Sequence, residues 1–114
     1  MSCLIKATSK FDLLKMDRSL LIENFCQSLS GRVQAAYLFG SFATGDYRSG
    51  SDIDLILISE TQLPFTKRGM EFADLFDIYP ALDLLVYTQD EFDRALEDPQ
   101  GFWLSVKKSL NRIL

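Results

Sequence analysis

No histidine occurs among the 114 residues. That absence removes every chemistry resting on an imidazole, from histidine-ligated zinc to a Ser-His-Asp triad. Cysteine is nearly as scarce: Cys3 and Cys26 are the two present, and they form neither a metal-ligand spacing nor a disulfide framework. No uncharged apolar run approaches the length of about eighteen residues that a membrane span needs. The N-terminal MSCLIKATSK lacks the apolar core and small-residue cleavage pattern of an export signal. A cytoplasmic protein with reduced thiols and no membrane partner is the expectation. Positive charge is also short. Twelve Lys and Arg against sixteen Asp and Glu leave a net charge of −4 and a pI near 4.7, the wrong sign for a protein that holds nucleic acid by neutralising phosphates. No direct nucleic-acid partner is expected.

What is present is an ordinary globular composition, 47% apolar and 25% charged. A chain of this size buries roughly two-thirds of its unfolded surface, and the length fits a single domain spanning 1–114. Leu21, Ile22, Phe25 and Leu29 recur at helical spacing, with Asp17 as N-cap and Gly31 just past the end; the pattern predicts a helix over 17–30, which 9–16 could extend. Strands are predicted at 33–39, 53–58 and 81–87, the second a nearly continuous branched apolar run suited to cover on both faces. The stretch 64–76 reads as a helix ended by the Pro80 region, with Lys67 and Arg68 as a solvated helix end. Thr88 and Glu91 have the spacing of a capping box for a helix through 96. Asp98-Pro99 then opens a last helix whose apolar face is Phe102, Trp103, Val106, Leu110 and Ile113. This order describes a small α/β (α+β) domain, a short mixed β-sheet packed under helices.

Chemistry concentrates in Leu38-Phe39-Gly40-Ser41-Phe42-Ala43-Thr44-Gly45-Asp46-Tyr47-Arg48-Ser49-Gly50-Ser51-Asp52-Ile53-Asp54-Leu55. Asp52 and Asp54, two apart at the start of a strand, leave the same face with Cα atoms about 6.5 to 7 Å apart. Ile53 and Leu55 alternate with them toward the core. A carboxylate pair in an apolar strand repels itself and resists desolvation unless a cation neutralises it, so a metal is expected. Hard oxygen ligands without Cys or His favour Mg²⁺ or Mn²⁺. Gly40-Ser41 follows a strand directly, where backbone N–H groups and a hydroxyl can receive phosphate oxygens. Asp83, inside Ala81-Leu82-Asp83-Leu84-Leu85-Val86, is a third carboxylate. If its strand lies beside that of Asp54, three carboxylates converge around two ions, and Asp83 becomes the best candidate to accept a proton from an attacking hydroxyl. The plain alternative for Asp83 is a strand-edge carboxylate facing water. Arg48 could reach a triphosphate; a solvated loop arginine is the plainer reading.

The segment GSFATGDYRSGSDIDL followed by LDLLV resembles the DNA polymerase beta type nucleotidyltransferase superfamily, whose signature is Gly-Ser, a spacer, Asp-x-Asp and a later strand carboxylate. More narrowly it is similar to the minimal nucleotidyltransferases encoded beside HEPN-domain partners in prokaryotic toxin–antitoxin pairs. The resemblance implies that Gly40 and Ser41 bind triphosphate and that Asp52, Asp54 and Asp83 hold the metals. It implies ATP as substrate and donor of AMP, pyrophosphate as leaving group, and a hydroxyl acceptor, a tyrosine of a HEPN toxin. The acceptor surface would come from that partner or from a homo-oligomer. Two alternatives stay open: a non-catalytic antitoxin of the same fold, and a small-molecule nucleotidyltransferase with an aminoglycoside-like acceptor. The C-terminal Arg112-Ile113-Leu114 departs from the further Gly and aromatic ending of many relatives, so the last helix is expected to be shortened or its interface altered.

Competing motifs fail on named residues. Gly40 and Gly45 have P-loop spacing, but Asp46 and Tyr47 stand where Lys and Ser/Thr are required. Asp52-x-Asp54 could open a calcium loop, yet Ile56 replaces an oxygen ligand and Leu57 the turn glycine.

Overall fold

The structure is a computed structural model that describes residues 12–99 and 101–114. Helix α1, Arg18–Leu29, begins where the Asp17 carboxylate accepts the Leu20 N–H at 3.1 Å, the hydrogen bond an N-cap supplies. It ends before Gly31, at φ +80°. Leu21, Phe25 and Leu29, four apart, are its buried stripe. The chain before it does not extend the helix. Leu13–Lys15 is a separate 3-10 turn capped by Asp12, and Met16 is extended; 9–11 lie outside the described residues.

Strands β1, Ala35–Phe39, and β2, Ile53–Ile58, pair antiparallel. The short helix α2, Gly40–Thr44, and a loop join them. Strand β3, Leu82–Tyr87, pairs parallel with β2. The crossover between them holds α3, Phe65–Arg68, and a 3-10 segment, Gly69–Asp77. Helix α4, Gln89–Leu96, opens with the expected capping box of Thr88 and Glu91. Helix α5, Gly101–Ser109, leads to β4, Asn111–Arg112, which pairs antiparallel with β1. The mixed sheet has the order β3-β2-β1-β4.

Side chains alternate across a strand, so the sheet has two distinct faces. Ile53, Leu55 and Leu57 join Ala36, Leu38, Leu82 and Val86 beneath α1 and the 3-10 segment. Ile56 and Ile58 join Ala35 and Phe39 beneath Phe92 of α4 and Val106 of α5. Strand β2 is thus covered on both sides, as its apolar run requires. Among the described residues no helix is long and apolar enough to cross a membrane.

Three local expectations are corrected. The predicted 64–76 helix gives way at Gly69 to a 3-10 segment. Phe72, Leu75 and Ile78 face the first core layer at intervals of three, the period of a 3-10 helix, not of an α-helix. Arg68 is no solvated helix end. It is 7% exposed, paired with Glu91 at 2.6 Å and donating to the carbonyls of Leu63 and Val86. The last helix starts at Gly101 and ends at Ser109, so Ile113 is not on its face. The open edge of β1 recruits the C-terminal residues instead: the Ile113 N–H donates to Ala36 O at 2.9 Å and the Ala36 N–H to Leu114 O at 3.0 Å. Ile113 consequently packs on the first layer and Leu110 on the second.

Candidate active site

Register brings the acidic residues together. Phe39 is opposite Asp54 across the antiparallel pair, and Asp54 is opposite Asp83 across the parallel pair. Directly opposed residues share a face, so Phe39, Asp54 and Asp83 form a row at one end of the second face. Asp52 lies just before β2, two residues from Asp54 and near enough for its charge to act on that carboxyl. Asp54 is half-buried, while Asp52 and Asp83 are exposed. Burial, then the charges of Asp83 and Asp52, push the Asp54 carboxyl up to about 6. Among the described residues none donates a hydrogen bond to these three carboxylates. Nor do three such side chains close into a ready-made metal cage there. The donor set nevertheless fits a hard divalent cation: oxygen ligands, one held in the wall and two at the surface, with their charge uncompensated. An open groove of about 510 Å³ shares Asp83, with Met70, Ala73, Phe76, Leu82 and Leu84 on its apolar side.

The Gly-Ser bend lies against this row. Phe39 is extended and Gly40 turns to φ +74°. A Cβ at Gly40 would collide with Asp54 Oδ2, so glycine is required both by its backbone angle and by the carboxylate beside it. Ser41, at the start of α2, is partly exposed. The expectation of free N–H groups needs one correction: the Gly40 N–H donates to Ser109 Oγ at 2.8 Å and is not open to phosphate. At the other end of α2, the Arg18 guanidinium donates to Phe42 O and Ala43 O at 3.1 to 3.2 Å. The Tyr79 hydroxyl donates to Ser51 O at 2.8 Å, bracing the residue before Asp52. Arg48 is exposed; its backbone N–H donates to Ser51 Oγ at 2.8 Å, and its side chain joins no ion pair among the described residues.

The family model of the polymerase beta nucleotidyltransferases matches residues 21–93. The chain belongs to that family. The chain is 33% identical over 54 residues to a Methanocaldococcus jannaschii protein provisionally named a protein adenylyltransferase, the match covering 44% of this chain and 54% of the relative. It thus spans about half the length of that relative. A toxin–antitoxin crystal structure solved with AMP-PNP superposes with a TM-score of 0.55 at 18% identity, covering 87% of this chain and 73% of that one; it shows the shared fold. A Sulfolobus solfataricus crystal structure, provisionally described as a nucleotidyltransferase, has a TM-score of 0.48 at 25% identity over 79% of this chain and 78% of that one.

Sequence reasoning missed Arg18, Tyr79 and Ser109. Arg18 and Tyr79 act on backbone carbonyls 24 and 28 residues away, a relation with no local pattern. Ser109 depends on a strand too short to read.

Proposed function

We propose that this chain, as a single minimal nucleotidyltransferase domain, transfers AMP from ATP to a tyrosine hydroxyl of a HEPN-domain toxin, acting as an antitoxin in the cytoplasm. Asp52, Asp54 and Asp83 would hold Mg²⁺ or Mn²⁺, and Gly40, Ser41 and Arg48 would bind the triphosphate. The metal supplies charge neutralisation at the phosphates and orientation of the reacting oxygens. Asp83 accepts the acceptor proton as the hydroxyl oxygen bonds to the α-phosphorus. The bond from that phosphorus to its bridging oxygen breaks, and pyrophosphate leaves. Gly40 lets the phosphate chain approach Asp54 where any side chain would obstruct it. The acceptor surface comes from the partner or from a second copy.

The observation that carries this reading is Asp54: half-buried, next to Asp83 and under Gly40, with a carboxyl whose charge only a cation would offset. The name of the archaeal relative and the AMP-PNP in the toxin–antitoxin structure support it. The test is incubation with α-labelled ATP, Mg²⁺ and the product of the neighbouring gene, followed by intact-mass measurement. Label on the partner in AMP-sized increments is expected, falling on the order of 10²–10³-fold in Asp52→Asn or Asp54→Asn, the scale of losing one preorganised electrostatic contact in catalysis. No label, or equal label in both variants, removes the enzymatic reading. A partner complex indifferent to ATP and metal would identify a binding module, and label on an aminoglycoside-like acceptor alone a small-molecule enzyme.

A further inference from the structure

Ser109 lies outside the segment 21–93 that the family model matches, yet its hydroxyl reaches the glycine of the signature. We infer that the C-terminal segment, through Ser109, is a positioning element that fixes the Gly40–Ser41 bend against Asp54. The inference rests on reading that bend as the triphosphate site.

The register of β4 on β1 explains the placement. Tyr37 faces Arg112 and Leu38 faces Asn111. Extended two steps further, the same antiparallel alignment would set Gly40 opposite Ser109. A continuing strand would offer Gly40 a backbone carbonyl there. Ser109 is the last residue of α5, so its hydroxyl takes that part. Oγ accepts the Gly40 N–H at 2.8 Å and donates to Val106 O at 3.3 Å. The hydroxyl therefore bridges bend and helix, and both ends of the bridge are anchored. Val106 is buried in the second core layer, and the residues after Ser109 are hydrogen-bonded to Ala36. The peptide plane held in this way carries the Cα that abuts Asp54. Losing the hydroxyl frees that plane to rotate, moving the bend relative to the carboxylate it faces. With the Gly40 N–H engaged, phosphate contacts fall to Ser41 and the N–H groups after it.

The full chain is tested with AMP-PNP and Mg²⁺ by calorimetry, alongside hydrogen exchange at the Gly40 amide and thermal unfolding. Ser109→Ala is expected to speed Gly40 exchange about fivefold, the worth of one hydrogen bond, and to weaken AMP-PNP binding severalfold, because the freed bend must be re-ordered when the nucleotide binds. Alanine is a good helix former, so the unfolding midpoint stays within about 3 °C of wild type. Ser109→Thr, which keeps the hydroxyl, restores both readouts. Ser109→Ala binding AMP-PNP as tightly as wild type, or more tightly, overturns the proposal, as does a Gly40 amide that remains protected. If wild type itself binds no AMP-PNP, the nucleotide reading fails and takes this proposal with it; failure confined to Ser109→Ala leaves that reading standing.

Discussion

Two acidic residues, one within the sheet and one on a helix beside it, meet opposite fates. Glu91 accepts two guanidinium hydrogen bonds from Arg68 and the Thr88 N–H; these contacts, the Arg68 bonds foremost, hold its carboxyl down to about 2. Asp54 is pushed the other way, to about 6, by burial and by two further aspartates. The fold therefore compensates charge where the charge secures its own architecture. Among the described residues it leaves charge uncompensated where the family's signature residues gather.

Three substitutions test this contrast. The largest effect on stability is expected from Glu91→Ala, which strands a buried guanidinium and breaks the capping box. Removing one partner of a buried pair costs roughly 3–5 kcal/mol, and because Glu91 is partly exposed the loss should be near the bottom of that range, measured by denaturant unfolding at pH 7. The loss is pH-dependent. The unfolded chain holds the Glu91 proton more tightly, so the pair's contribution is full above pH 4.5 and disappears as pH falls toward 2. Wild type and variant should therefore converge in acid. Gly40→Ala comes next. A Cβ in the left-handed region costs about 1–2 kcal/mol, and the displaced Asp54 carboxylate should abolish AMP-PNP binding in calorimetry; full binding would show that the bend is not the nucleotide site. The smallest effect is a gain. Asp54 binds its proton more tightly when folded, so stability declines as pH rises from 3.8 to about 6. Without metal, Asp54→Asn should be more stable than wild type by about 1 kcal/mol at pH 7.5, allowing for partial exposure, and equal to it below pH 4. A variant less stable at both pH values would mean that Asp54 is compensated after all.

The contrast also shows what could be read in advance. Asp54 and Asp83 stood out because a charge in an apolar strand is a local anomaly, visible before any partner strand is known, and Asp52 stood out by its two-residue spacing from Asp54. The placement of Asp83 beside Asp54 needed only parallel pairing of two strands already evident from their branched residues. Asp17 and the Thr88–Glu91 box were legible because capping acts over three residues. The Arg68–Glu91 pair was not, since it joins two helices across an intervening strand. The three-residue rhythm of Phe72, Leu75 and Ile78 is masked by the other apolar residues, Met70, Ala73 and Phe76, on the opposite side of the same segment. Strand β4 spans two exposed residues, Asn111 and Arg112; it exists because β1 offers an edge, and no propensity announces it.

Strand β2 has one more consequence. Asp54 rides on the strand that is hydrogen-bonded along both edges and roofed on both faces, so displacing it demands nearly global unfolding. Asp83 is carried by a border strand and Asp52 by a loop. The grip resembles a vice with one fixed jaw and two adjustable ones. Under the proposed reading, ions of different radius would be met by adjustment at β3 and in the loop, while the central carboxylate keeps its place.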